Sequence, residues 1–153
     1  MGYLSVAVHG IVRNFVPSSA QKHALQRWKV QVATAVKAER GGEPWSSEDD
    51  YVVMLEYGFH LPSHWNQHLD VENYVKPVLD GLAAGLFCST DRELADIRIW
   101  NYPDHNFRTL LIHRLPHVQS EYEESVDISV WNRQSWNQQS VVSTLVGWMD
   151  AED

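Results

Sequence analysis

The run Tyr51-Val-Val-Met-Leu-Glu-Tyr57 is the strongest constraint on the fold. It is aromatic, β-branched or aliphatic at every position but Glu56, so it reads as a strand. An apolar run without alternation needs cover on both faces, which places this strand in the middle of a sheet. Other segments supply the neighbours and the cover. Leu4–Val12 is apolar and β-branched, a first strand. Leu25, Trp28, Val32 and Val36 then mark one face of a helix running to about Arg40. Ser18-Ser19 cap its start, and Gly41-Gly42 supply the left-handed residue that ends it.

After the central strand comes a polar segment, Gly58 to Leu69, with Pro62 and three histidines. Val71–Leu86 reads as a second helix, with Val71, Tyr74, Val75, Val78, Leu82 and Leu86 on its apolar side. Pro77 is compatible with it if Asn73 is the cap, since the ring then falls at the edge of the first turn. Leu94–Trp100 and Phe107–Leu115 flank Asn101-Tyr102-Pro103-Asp104 and read as an antiparallel hairpin. In the tail, Val126–Trp131 reads as a strand and Ser140–Met149 as a short amphipathic helix carrying Leu145 and Trp148. Strand, helix, strand, helix, hairpin gives a single α+β domain with a mixed sheet.

At 153 residues the chain is long enough for one self-sufficient core. No apolar run approaches the ~20 residues of a membrane span. The N-terminus lacks a basic n-region and a cleavage site, so a signal peptide is not expected. Cys88 is the single cysteine, and a reducing, cytoplasmic setting is the simplest reading. The net charge is −8, unevenly distributed: residues 1–40 sum to +5 and the remainder to −13. Such a chain repels phosphate at long range, so nucleic-acid binding requires a local basic face or metal ions. Lys22 and Lys29, two helical turns apart with Arg27 and Lys37 nearby, form one basic face. It is either simply solvated or in contact with phosphate.

The densest polar cluster surrounds the second helix: Asp70, Glu72, Asn73, Lys76, Asp80 and then Asp91. Glu72, Lys76 and Asp80 follow i,i+4 spacing, so surface ion pairs account for these three. Asp70 and Asp91 lie outside that account. If the two ends of this segment converge, the gathered carboxylates require a hard cation, and oxygen ligation suits Mg²⁺ or Mn²⁺.

The string Asp70-Val-Glu72-Asn73-Tyr-Val-Lys76-Pro-Val-Leu-Asp80-Gly-Leu, followed by Asp91, resembles the signature of the RusA family of Holliday-junction resolvases and related endonucleases. The resemblance spans about residues 4–115 and includes the order of elements. It implies a RusA-like mixed sheet with packed helices and a nuclease domain over 1–116. Residues 117–153 form an acidic, tryptophan-containing extension. It also implies a Mg²⁺- or Mn²⁺-dependent endodeoxyribonuclease acting on four-way junctions, a homodimer whose two-fold axis matches the two equivalent strands. Asp70, Glu72 and Asp91 become metal ligands and Lys76 the catalytic lysine, with Asn73 and Asp80 in support. Three departures stand out. Glu72 replaces the usual aspartate, Thr90 replaces the first acid of a pair, and 61–69 carries no Lys or Arg. They motivate a rival reading, a catalytically impaired module of the same fold that binds DNA or protein. Another rival is a hydrolase acting on nucleotides or RNA.

His60, His64 and His68 recur every four residues, a zinc-ligand spacing on a helix, but Pro62 argues for a loop. There His64 and His68 either contact phosphate or are solvated. Trp65 is placed to stack on an unpaired base, although packing explains it equally. Trp131, Trp136 and Trp148 suggest burial, and Cys88 reads as a small packed residue.

Overall fold

The computed structural model describes residues 2–10, 19–60, 72–103, 106–118, 124–133 and 146, with backbone alone for 19–21, 59–60, 72–74 and 109–118. In chain order the elements are β1 (Tyr3–His9), α1 (Ser19–Arg40), β2 (Tyr51–His60), α2 (Glu72–Phe87), α3 (Asp91–Ala95), a 3-10 turn (Ile97–Ile99), β3 (Phe107–Val118) and β4 (Ser125–Asn132). Among the described residues the strands form one mixed sheet in the order β1-β4-β2-β3. β4 runs antiparallel to both β1 and β2, while β2 and β3 are parallel. The fold is α+β.

β2 is internal, as its apolar run requires. Tyr51, Val53, Leu55 and Tyr57 join Leu4 and Val8 of β1 and Val126, Ile128 and Val130 of β4 in one core. Trp28, Val32 and Val36 of α1 and Val78, Leu82 and Leu86 of α2 belong to the same core. Burying each such side chain is worth roughly 1.5–3 kcal/mol, which is what holds the helices in place. The alternate residues of the sheet, Val52, Met54, Glu56, Ser129 and Trp131, are buried as well. No helix among the described residues is long and apolar enough to cross a membrane.

Glycine sets two boundaries. Gly10 (φ +86°) follows β1 and Gly41 (φ +86°) follows α1, where its N–H donates to the Lys37 carbonyl at 3.2 Å. The second is the left-handed helix stop expected at Gly41-Gly42.

Three expectations need correction. Residues 91–95 are helical and 97–99 form the 3-10 turn, so the expected hairpin is absent, and β3 instead pairs in parallel with β2. The reason is local: Thr90 Oγ1 accepts from the Glu93 N–H at 3.3 Å, and the Glu93 carboxylate accepts from the Ser89 N–H at 2.9 Å. This reciprocal capping nucleates α3 in a stretch whose apolar residues also suit a strand. Second, α2 begins at Glu72, so Asn73 is its second residue and Pro77 lies within the helix. The ring forfeits the bond to the Asn73 carbonyl. Pro77 is itself buried, beside Val78 in the packed face. Third, β4 lies between β1 and β2. The boundary expected at 116 therefore divides one sheet, and the tail supplies a core strand. The helix expected at 140–149 lies outside the described residues except for Val146.

Candidate functional site

Two glycines bring the helices together. A Cβ on Gly81 would sit 2.7 Å from the Lys29 carbonyl oxygen, and one on Gly85 would sit 2.6 Å from that of Ala33. Both helices advance four residues between these contacts, so α1 and α2 run in the same direction with their N-termini at one end. Their spacing is set by backbone against backbone.

That approach carries charged side chains into contact across the seam. Asp80 is held by two lysines, Lys29 Nζ from α1 at 3.0 Å on one oxygen and Lys76 Nζ at 2.9 Å on the other. Lys29 and Asp80 are only 20% and 23% exposed, whereas Lys76 reaches solvent at 55%. Part-exposed pairs of this kind contribute about 0.2–1 kcal/mol each, so their chief effect is positional. Two cations share one anion, so the three groups together are cationic. Lys22, exposed and one heptad before Lys29, extends this character toward the end where α2 begins.

The other end of the seam is built differently. Asp91 opens α3 and pairs with Lys37 Nζ at 2.6 Å, which holds its carboxyl below the usual aspartate range. The Asp91 side chain is 93% exposed. Arg40 donates to the carbonyls of Gly85, Leu86 and Cys88 at 3.1, 3.0 and 2.8 Å, satisfying groups at the C-terminus of α2. Thr90, the departure from an acid pair, is the cap of α3. Cys88 is buried, and burial pushes its thiol above the ordinary value.

Lys76, Asp80 and Lys29 are thus brought together, while Glu72 and Asp91 are set at opposite ends of α2. From Glu72 to Phe87 the helix is roughly 22 Å long at 1.5 Å per residue. Glu72 and Asn73 are described by their backbone, and Asp70, His64, His68 and Trp65 lie outside the described residues. His60 closes β2, which removes the single helical face that would align it with the other two histidines. Among the described residues no group of three His, Cys, Asp or Glu side chains is placed to hold a metal ion.

Lys37, Arg40 and Glu93 acquire roles that the pattern of charges did not reveal. Two signals were readable: the four-residue spacing of Gly81 and Gly85, which permits close helix contact, and Thr90-x-x-Glu93, a capping box.

A mixed sheet covered by two helices, with a lysine–aspartate–lysine clamp at the helix seam, defines an α+β protein with a cationic edge. The family model for endodeoxyribonuclease RusA matches residues 12–112, about two thirds of the chain, and the protein belongs to that family. The matched region contains α1, β2, α2 and α3 whole and ends within β3. No curated protein matches the chain.

Proposed function

We propose that the protein is a Mg²⁺- or Mn²⁺-dependent endonuclease that nicks four-way junctions or related branched DNA as a homodimer. The observation that carries this reading is the Asp80 clamp, which presents Lys76 to solvent inside the family's motif. Asp80 restrains the Lys76 ammonium at the exposed edge of the seam, where a non-bridging phosphate oxygen or the attacking water can reach it. Lys29 and Lys22 carry the flanking phosphates, and His64 and His68 add contacts from the preceding segment.

The oxygen donors of Asp70, Glu72 and Asp91 suit a hard cation chemically. Asp70 and the Glu72 side chain lie outside what the structure describes, and Asp91 is engaged by Lys37. When bound, the ion supplies an acidified water and neutralises charge at the phosphate. The net charge of −8, Glu72, Thr90 and the lack of Lys or Arg in 61–69 favour a second reading, a binding module of the same fold with impaired catalysis. A Mn²⁺ titration separates the two, because such a module has little affinity for the ion.

The test is cleavage of a labelled four-way junction, with linear duplex as control, in Mg²⁺ and in EDTA. Symmetric nicks that need the ion and disappear in Asp70→Asn support the nuclease. Retained cleavage in that variant refutes the site assignment, and no cleavage with either ion refutes the activity.

A further inference from the structure

A cavity of about 300 Å³ opens beside the clamp, lined by Lys29, Asp80, Ile97, Trp100, Asn101 and Tyr102. We propose that it receives one nucleobase unstacked from branched DNA, stacked on the aromatic walls and hydrogen-bonded by Asn101, with Lys29 on the adjoining phosphate. The inference rests on the nuclease reading and names the part of the substrate that this side of the site takes.

Size, rigidity and charge all point this way. The volume lies at the small end of ligand pockets, roughly 300–1,000 Å³, which suits a single flat ring system and excludes a duplex. The walls are fixed before anything binds. Trp100 Nε1 donates to the Glu93 carbonyl at 2.9 Å, and the Tyr102 hydroxyl donates to the Glu93 carboxylate at 2.9 Å. Glu93 is in turn held by the Ser89 N–H, so the capping of α3 sets both rings. Their centroids lie 6.3 Å apart at 63°. A base entering such a site meets two rings already held in place by hydrogen bonds, so they need no further ordering.

Asn101, between Trp100 and Tyr102 in sequence, also lines the cavity, is exposed and offers a donor and an acceptor side by side, the pattern that pairs with a base edge. Asp80 is neutralised by its two lysines, so the mouth of the cavity does not repel the phosphate adjoining the base. The chain as a whole carries −8, so long-range attraction to DNA is weak. Stacking is a source of affinity that does not depend on net charge.

The experiment uses the full chain and four-way junctions carrying a single abasic site at successive positions around the crossover. Binding is measured in EDTA and in Ca²⁺ for the wild type, Tyr102→Leu and Asn101→Ala. One abasic position adjoining the crossover is expected to weaken wild-type binding roughly five- to tenfold and to weaken neither variant further. Tyr102 packs against the core, so Asn101→Ala, at an exposed residue, carries the test should Tyr102→Leu fail to fold. A flat abasic scan, or an equal loss in the variants, overturns the proposal. If junction cleavage is intact alongside that flat scan, the pocket alone falls. A wild type that neither prefers the junction to linear duplex nor nicks it removes the nuclease reading as well.

Discussion

Two lysine–aspartate pairs tie α1 to the helices after it, their lysines eight residues apart, and they are built to different ends. At Lys29–Asp80 both partners are mostly shielded and a second lysine completes the set. At Lys37–Asp91 a single lysine meets a carboxylate that is 93% exposed. The first arrangement restrains the Lys76 ammonium, the group that the proposed function sets against a phosphate. The second ties down the start of a five-residue helix, beside an Arg40 that is already committed to the end of α2. The same pair of residue types is therefore shielded and doubly paired at one end of the seam and singly paired and exposed at the other.

The backbone contact beneath both pairs is the place to break the comparison hardest. Gly85→Ala puts a methyl group 2.6 Å from the Ala33 carbonyl oxygen, and overpacking of this sort costs about 1–3 kcal/mol or more. Urea denaturation should show that loss. Gly42→Ala, with nothing within 4 Å, should leave the midpoint nearly unchanged.

Removing the helix-end function of Arg40 comes next. Arg40→Met strips three carbonyls of a charged donor and should destabilise the fold by about 1.5–3 kcal/mol in the same assay. An unchanged midpoint would mean that water replaces the guanidinium without loss.

A sharper separation of the two ends comes from salt. Lys22→Ala should reduce the slope of log affinity for DNA against log salt by about 0.9, one phosphate contact. Lys37→Ala should leave the slope unaltered, because that lysine is occupied at the far end. Equal slopes for the two variants would erase the distinction.

The smallest effect is the titration of Asp91 itself. Its carboxyl is held below the ordinary value of 3.8 by the hydrogen bond from Lys37. The pair's contribution to stability is therefore present above the unfolded pKa and fades as pH falls through the lower, folded one. Carboxyl NMR should find a midpoint below 3.8 that returns toward it in Lys37→Met.

Much of this was legible in the residues. The unbroken apolar run placed β2 internally, the Trp28–Val32–Val36 stripe placed α1, and Lys76 with Asp80 stood at helical spacing. What escaped was mostly decided between elements. Leu94–Trp100 contains enough isoleucine and tryptophan to suit a strand, but a capping box turned its neighbourhood into α3, and β3 found β2 instead. Val126–Trp131 read correctly as a strand, yet only the sheet showed that it fills the gap between β1 and β2. Lys29 belonged to a surface-like basic face until α2 came close enough to hand it Asp80, and that depends on Gly81 having no side chain.

The most direct test of the account is single-turnover cleavage of a labelled four-way junction in Mg²⁺ by the wild type, Lys76→Ala and Lys37→Ala. The account predicts cleavage by the wild type, a loss of about 100-fold or more in Lys76→Ala, and near-normal rates in Lys37→Ala. Equal losses in the two variants, or full activity in Lys76→Ala, would contradict it.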